Sequence, residues 1–165
     1  MKTTSTDERP EAIRLSERLQ YLIQSADNLE LEADGSLRSD QLKALEHTSV
    51  SLSELRWSSQ KTSMIDEVVK GIKEQHGWQT CISWAAKDFV LEHGTLFTPS
   101  GSTCIVVPAA YPGQPRVLIH TKDKAVASLD WASQNTAYKL DSGLGIRALE
   151  GAIRFYAIMF KTPEA

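Results

Sequence analysis

Apolar residues recur at helical spacing in two segments of the chain. Between Pro10 and Asn28, and again between Ser63 and His76, they follow one another at intervals of three and four residues. A proline suits the first turn of the first helix, and Gly77 suits the end of the second. The pattern therefore predicts two amphipathic helices. Their inward stripes are Leu15, Leu19, Leu22, Ile23 and Ala26, and then Met64, Ile65, Val68, Val69 and Ile72.

The segment between these helices predicts two shorter helical elements. Ser39 can cap a helix that carries Leu42 and Leu45 on its inward face. Leu52 and Leu55 begin another element after a polar interruption. This order also matches a DNA-binding helix-turn-helix, but the segment is acidic overall and offers few cations to a phosphate backbone. We therefore interpret it as a plain pair of helices.

The stretch from Thr80 to His120 contains both cysteines and two of the four histidines. We predict a helix over 81–93, because apolar positions recur at the helical period and a glycine follows as a stop. A strand over 80–84 is the competing interpretation, which the low strand propensity of the following alanines disfavours. Two β-branched, apolar runs over 103–107 and 116–121 flank a loop rich in proline and glycine. They predict an antiparallel hairpin.

After the hairpin the pattern is mainly helical again. Asp123 can cap a helix over 123–132, and residues 138–140 form a possible short strand. The segment 146–160 is the most apolar in the chain and predicts a helix at the centre of the core, with Glu150 and Arg154 paired on its outer face. The inward residues of this helix would be Leu149, Ala152, Ile153, Tyr156, Ala157 and Phe160.

Together these elements predict an α+β fold, in which a small antiparallel sheet, the hairpin around 103–121, is packed by about five or six helices. The length suits a single globular domain over 10–165. Within it we expect a helical N-terminal part over 10–60 and an α+β core over 62–165. Residues 1–9 are polar and without periodicity, and we expect them to form a disordered tail.

Composition argues against two classes of partner. No apolar run approaches the roughly 20 residues that span a bilayer. Residues 1–60 carry 7 Lys and Arg against 11 Asp and Glu, and residues 61–165 carry 11 against 10. Neither half is a basic surface for nucleic acid. Since the N-terminus also lacks an apolar leader, we expect a cytoplasmic protein, or a mature chain whose signal is absent, that binds neither membrane nor nucleic acid.

The sharpest hypothesis for chemistry is a pair formed by Cys81 and His120. A cysteine in the first turn of a helix has its thiolate stabilised by backbone N–H groups and the helix dipole, which lowers the thiol pKa. Cysteine hydrolases and transferases combine such a nucleophile with a histidine from later in the chain. Asp123, Asp130 or Asn135 could orient the imidazole. The alternative is that Cys81 is a core residue, as free cysteines usually are.

Two other motifs lack the context that their chemistry needs. Residues 143–148 match the G-x-G-x-x-A form of the dinucleotide fingerprint, but no second strand or acidic residue follows at the required distance. The cysteines and histidines between 81 and 120 stand singly, unlike the close pairs of zinc sites. We therefore expect no cofactor and no metal, and we interpret Cys104, within an apolar run, as a core residue.

Tryptophan offers a third possibility. Trp78 and Trp84 flank Cys81, and together with Trp131 they could line a pocket for a planar ligand. Burial in the core is the alternative and the more common situation for tryptophan.

The leading functional prediction is a non-catalytic protein-interaction or assembly module, acting in a homo-oligomer or with a protein partner. The apolar helix over 146–160 would supply its docking face. A thiol hydrolase or transferase with a Cys81/His120 pair is the first alternative. A small-ligand binding domain with a tryptophan-lined pocket is the second.

Overall fold

The computed structural model describes residues 10–34, 42–47, 50–55, 57–76, 82–109, 111, 115–129, 131 and 136–161. In this part of the chain, eleven strands form two sheets and two helices cover one of them. The helices are α1 (Glu17–Asp34) and α2 (Ser59–His76). The strands are β1 (Glu11–Arg14), β2 (Leu42–His47), β3 (Val50–Leu55), β4 (Ile82–His93), β5 (Thr95–Phe97), β6 (Ser102–Ala109), β7 (Arg116–His120), β8 (Ala125–Leu129), β9 (Thr136–Leu140), β10 (Gly145–Glu150) and β11 (Ile153–Lys161).

Strand β11 lies at the centre of a seven-stranded sheet. The strand order is β1-β9-β6-β11-β4-β3-β2, and every neighbouring pair is antiparallel. Tyr156 of β11 lies opposite Asp88 of β4 on one side and Val107 of β6 on the other. Because β11 is buried on both faces, its sequence is almost continuously apolar, as in other doubly covered strands.

A four-stranded antiparallel sheet, in the order β5-β10-β7-β8, covers one face of the larger sheet. The inward side chains of both sheets form one apolar core. At its centre Phe155 packs edge-on against Phe89 and Trp131, with ring centroids 6.0 and 6.3 Å apart. The two sheets therefore form a β-sandwich.

The two helices cover the opposite face of the seven-stranded sheet. Ile23 of α1 and Val68 of α2 are buried in one apolar cluster with Ile158 of β11. Each helix begins behind a serine whose hydroxyl accepts a backbone N–H of the first turn, Ser16 for α1 and Ser58 for α2. The seven-stranded sheet thus has the sandwich core on one face and the helical layer on the other.

The predicted α+β fold with a small hairpin sheet and five or six helices is wrong. The described residues contain two helices, and the remaining elements are strands. Apolar content alone does not separate a short buried helix from a strand that is buried on both faces. The segments predicted to be helical that are strands lie within β2, β3, β4, β8, β10 and β11.

The C-terminal segment shows the physical reason most clearly. A single helix was predicted over 146–160, but β10 and β11 occupy it, separated by a turn at Gly151 with φ of 87°. Phe155 and Ala157 face the sandwich core, whereas Tyr156 and Ile158 face the helical layer. Because both faces are almost entirely apolar, the sequence lacks the alternation of apolar and polar residues that usually marks a strand. The isoleucines and aromatic residues, which favour strands, were the remaining signal.

The two runs predicted as a hairpin are strands, but they do not pair. β6 lies in the seven-stranded sheet between β9 and β11, whereas β7 lies in the other sheet between β8 and β10. Pairing of neighbours in sequence is the common case, and it was the basis of the prediction. Here the chain changes sheet between the two strands.

Both predicted amphipathic helices are confirmed, with shifted ends. α1 begins at Glu17 because residues 11–14 form β1, an edge strand that pairs with β9. α2 begins at Ser59, four residues before the predicted start. Neither described helix is both long and apolar enough to cross a membrane. The predicted tail over 1–9 lies outside the described residues, and the single-domain organisation stays a prediction.

The strand assignment of the C-terminal segment can be tested with two truncations. Phe155→Ala should lower the free energy of unfolding by about 3–5 kcal/mol, because it removes a fully buried ring from the sandwich core. Leu149→Ala should lower it by about 1 kcal/mol or less, since Leu149 is 40% exposed. Urea denaturation measures both values. A helix over 146–160 would turn Leu149 inward and Phe155 outward, so the reverse order of costs would contradict the sandwich.

Candidate functional site

The most polar feature of the interior is a cluster of three charged side chains, Lys61, Asp88 and Arg154. Their exposed fractions are 1%, 0% and 0%. Arg154 binds the Asp88 carboxylate through two bonds, with Nε 3.0 Å from Oδ1 and Nη2 2.8 Å from Oδ2. Lys61 Nζ lies 2.7 Å from the same Oδ2. One carboxylate therefore pairs with a cation from α2 and a cation from β11.

Aromatic side chains enclose this cluster. The Arg154 guanidinium lies 5.8 Å from the ring centroid of Tyr156 and donates to its hydroxyl at 3.5 Å. The Trp57 ring meets Tyr156 edge-on with centroids 6.4 Å apart, and its Nε1 donates to Thr62 Oγ1 at 2.7 Å. Residues at the start of α2 and on β11 are thereby joined in one network. Its closed geometry suits a structural attachment of the helix to the sheet.

Tyr111 is a half-buried phenol whose pKa is influenced by the charge of Arg154 in this cluster. Burial raises the pKa of Tyr111; the charge of Glu92 also raises its pKa, and the charge of Arg154 lowers it. A phenol with a raised pKa stays protonated at neutral pH. Tyr111 is therefore available as a neutral hydrogen-bonding group rather than as a base.

A small, partly open cavity lies between the two sheets, beside the paired strands β5 and β10. Its volume is about 10 Å³, roughly the space for one water-sized group. Among the described residues of its wall, Thr98 and Cys104 are the two with polar side chains. The full lining consists of Leu96, Phe97, Thr98, Cys104, Val106, Leu140, Ile146, Phe155 and Met159.

The Cys104 thiol in this wall is unreactive. Burial raises the pKa of Cys104 to about 12, although a hydrogen bond with the backbone of Ile158 lowers it in part. Because the thiolate is the nucleophilic form, Cys104 is not a nucleophile at neutral pH. This agrees with its interpretation as a core residue.

The glycines of the fingerprint-like motif serve the strand geometry beside this cavity. Gly143 has φ of 92° and forms the turn before β10. A Cβ on Gly145 would lie 2.7 Å from side-chain carbons of both Thr95 and Phe97. Gly145 thus leaves room for the Thr95 and Phe97 side chains of the paired strand β5. The helix predicted to begin at this motif is a strand.

The structure does not bring the predicted catalytic residues together among its described residues. Cys81 lies outside them, as do Asp130 and Asn135, and the helix predicted to start at Cys81 is replaced by strand β4. His120 is half-buried at the end of β7, and Asp123 is exposed in the turn that follows. Among the described residues, no hydrogen bond joins His120 to Asp123. The Cys81/His120 pair stays a prediction.

The three tryptophans of the predicted ligand pocket have different positions. Trp131 is buried and packs against Phe155 inside the sandwich. Trp84 belongs to β4, and its side chain lies outside the described part of the structure, as does all of Trp78. A pocket formed by all three therefore also stays a prediction.

Sequence reasoning missed the buried charged cluster. It placed Arg154 on the outer face of a helix, paired with Glu150, whereas Arg154 binds Asp88 across two neighbouring strands. The available signal was a single charged residue, Arg154, within an otherwise apolar run, and an aspartate, Asp88, directly before the apolar residues 89–91. Such residues are rarely buried unless they are paired.

The sequence matches no family model and no curated protein. The fold, however, is similar to the crystal structure of a prolyl-4-hydroxylase from Pseudomonas putida. The TM-score is 0.61 at 8% sequence identity, and the similarity covers 95% of this chain and 94% of that chain. At an identity this low, the structural similarity shows a shared fold alone.

This likeness corrects the prediction of a non-catalytic interaction or assembly module. The fold is one that an enzyme uses over nearly its whole length. The prediction relied on an apolar C-terminal helix as a docking face, but that apolar surface belongs to β11 and is buried inside the molecule. A homo-oligomer or a protein partner stays a prediction, without the helix face that motivated it.

The likeness to a hydroxylase raises the question of a metal site. Non-haem iron oxygenases hold their metal with two histidines and one carboxylate. Within the described ranges, no group of three His, Cys, Asp or Glu side chains is arranged to hold a metal ion. The sandwich core, formed there by apolar side chains, does not fit such a centre. We therefore derive no reaction step through a metal.

The buried cluster predicts a large difference between two carboxylate-to-amide substitutions. Asp88→Asn leaves two buried cations without their carboxylate, and we expect it to lower the free energy of unfolding by about 3–5 kcal/mol. Glu54→Gln is the matched control on neighbouring strand β3, because Glu54 pairs with the half-exposed Lys87 at 3.2 Å. It should cost less than about 1 kcal/mol. Equal costs in urea denaturation would show that the buried cluster does not anchor α2.

Proposed function

We propose that the protein is an enzyme whose substrate binds in the space between the two sheets, beside the paired strands β5 and β10. The observation that carries this proposal is the fold likeness, which extends over nearly the full length of both this chain and an enzyme chain. Binding in the mouth of a β structure is a common arrangement for small-molecule sites. The cavity beside Leu96 and Thr98 is the space that the sandwich offers there.

One side of this space is formed by a central, fully paired strand, and the other side by a short edge strand. Phe155 belongs to the central strand β11, which is paired on both edges and packed on both faces. Leu96 and Phe97 belong to β5, a three-residue strand at the edge of its sheet, and Phe97 is 42% exposed. Substrate entry therefore requires the least rearrangement on the β5 side.

Hydroxylation of a prolyl side chain is the reaction to test first, because the enzyme of similar fold is a prolyl-4-hydroxylase. Inserting one oxygen atom of dioxygen into a C–H bond also needs a two-electron reductant. The assay therefore combines prolyl peptides, dioxygen and a panel of reductants that includes ascorbate, NADPH and 2-oxo acids, each with and without Fe(II), because no group of side chains in the described ranges is arranged to hold a metal ion. Mass spectrometry should show peptide heavier by one oxygen atom.

Two leucine-to-phenylalanine variants test whether the reaction occurs in the proposed space. Leu96→Phe fills the cavity wall and should lower kcat/KM at least about tenfold, the scale on which an apolar pocket senses small changes in shape. Leu149→Phe makes the same change on β10, outside the cavity lining, and should leave kcat/KM near the wild-type value. Absence of product from the wild-type protein, or equal activity in Leu96→Phe and wild type, would contradict the proposal.

A further inference from the structure

The hydroxyl of Thr98 is a buried polar group at the wall of the sandwich cavity. Thr98 is 6% exposed and is one of the residues that line this space. Within the described part of the chain, no hydrogen bond to the Thr98 hydroxyl is present. Native structures rarely leave a buried hydroxyl without a partner, because the group has lost its bonds to water. The Thr98 hydroxyl therefore needs a partner, and the cavity is where one can lie.

The strand geometry turns the Thr98 side chain toward the space between the sheets. The Thr98 N–H donates to the Leu144 carbonyl at 2.8 Å, and the Thr98 carbonyl accepts from the Gly143 N–H at 3.3 Å. These bonds continue the pairing in which Leu96 lies opposite Ile146. Side chains two residues apart along a strand share a face, so Thr98 lies on the same side as Leu96, which packs against the sandwich core. Because both backbone groups of Thr98 are paired, its hydroxyl is the group left to bind a ligand.

The cavity has room for one oxygen atom and does not suit an ion. Its volume of about 10 Å³ matches one water-sized group. The nine described residues of its wall include no charged side chain, and an ion without a partner is strongly disfavoured in such surroundings. The Cys104 thiol already makes a hydrogen bond with the backbone of Ile158. Since the cavity is partly open, a bound group can make its remaining hydrogen bonds to solvent.

We propose that the Thr98 hydroxyl binds one uncharged oxygen atom in this cavity, that of a water molecule in the free protein and that of a substrate hydroxyl or carbonyl group in the complex. The substrate half rests on the proposed function, which places the substrate in this space. A threonine hydroxyl both donates and accepts, so it can bond either type of oxygen. A substrate group that reproduces the hydrogen bond of the water it displaces keeps that bond's contribution to affinity. Thr98 is thereby a specificity-determining residue.

High-resolution crystal structures of the full chain test the site without turnover. In the wild type we expect an ordered water about 2.7–2.8 Å from Thr98 Oγ1. Thr98→Ser keeps the hydroxyl and should keep this water, whereas Thr98→Val, which has nearly the same shape, should lose it. Thr103→Val is the matched control and should leave the water in place, because Thr103 is also buried, at 9% exposed, and lies outside the cavity lining. Absence of the water from the wild type, or its persistence in Thr98→Val, would overturn the proposal.

Kinetics with the prolyl peptides test the substrate half. Thr98→Val should lower kcat/KM about two- to tenfold, the range expected for the loss of one hydrogen bond between uncharged groups. Thr98→Ser and Thr103→Val should stay near the wild-type value. Thr98→Ala removes the same hydroxyl and gives the same comparison if the valine variant does not fold. Equal kcat/KM in the wild type and in the variants without this hydroxyl would overturn recognition of the substrate by Thr98.

The two measurements distinguish failure of this proposal from failure of the proposed enzyme. A water bound to Thr98 Oγ1, with no oxygen transfer to any peptide, would count against the proposed enzyme alone and would support the Thr98 site. Oxygen transfer by a protein that binds no water there, or whose kcat/KM does not depend on the Thr98 hydroxyl, would count against the Thr98 site alone.

Discussion

The structure depends on one carboxylate. Asp88 binds Arg154 of β11 and Lys61 of α2, and all three charges are shielded from water. Burying two cations and one anion is costly unless each is paired, so this arrangement persists only where the helix, β4 and β11 meet correctly. A displacement of α2 would leave part of the cluster unpaired, and so would a change in the pairing of β4 with β11. The cluster therefore couples the position of the helix to the pairing of the central strands.

The alternation of side chains along β4 and β11 connects this cluster to the sandwich. Asp88 and Arg154 face the helical layer, and their sequence neighbours Phe89 and Phe155 face the other sheet. A shift of one residue in the pairing of these strands would send charges into the sandwich core and aromatic rings toward the helices. The polar contacts on one face thus hold the apolar wall on the other face in place. That wall is the side of the proposed substrate space that the central strand forms.

The two helices and the strands β6 and β7 were accessible from the sequence, but most of the other strands and the sheet topology were not. The stripes through Ile23 and Val68 predicted both helices, because each helix has one apolar face and one polar face. The run from Ile153 to Phe160 did not reveal its strand, since both faces of β11 are covered and Arg154, its one charged residue, does not by itself mark the two-residue period. Asp88 and Arg154, which lie 66 positions apart, meet only because β4 and β11 pair.

The candidate site was less predictable for the same reason. Sequence reasoning searched for nucleophiles, metal ligands and phosphate-binding glycines, which mark many catalytic sites. The lining of the sandwich cavity has none of these marks, because its residues are those of an ordinary apolar core. Gly145 was noticed as part of a fingerprint, yet its role is to leave room for the Thr95 and Phe97 side chains, which the pairing of β5 with β10 places beside it.

A double-mutant cycle between Lys61 and Asp88 tests the central claim most directly. Lys61→Met, Asp88→Asn and the double variant would be compared with the wild-type protein by urea denaturation. If one carboxylate couples α2 to the central strands, the two substitutions should be non-additive, with a coupling free energy of about 2–3 kcal/mol. Additivity within about 0.5 kcal/mol would contradict this role of Asp88, because the helix and the sheet would then be held together independently of its carboxylate.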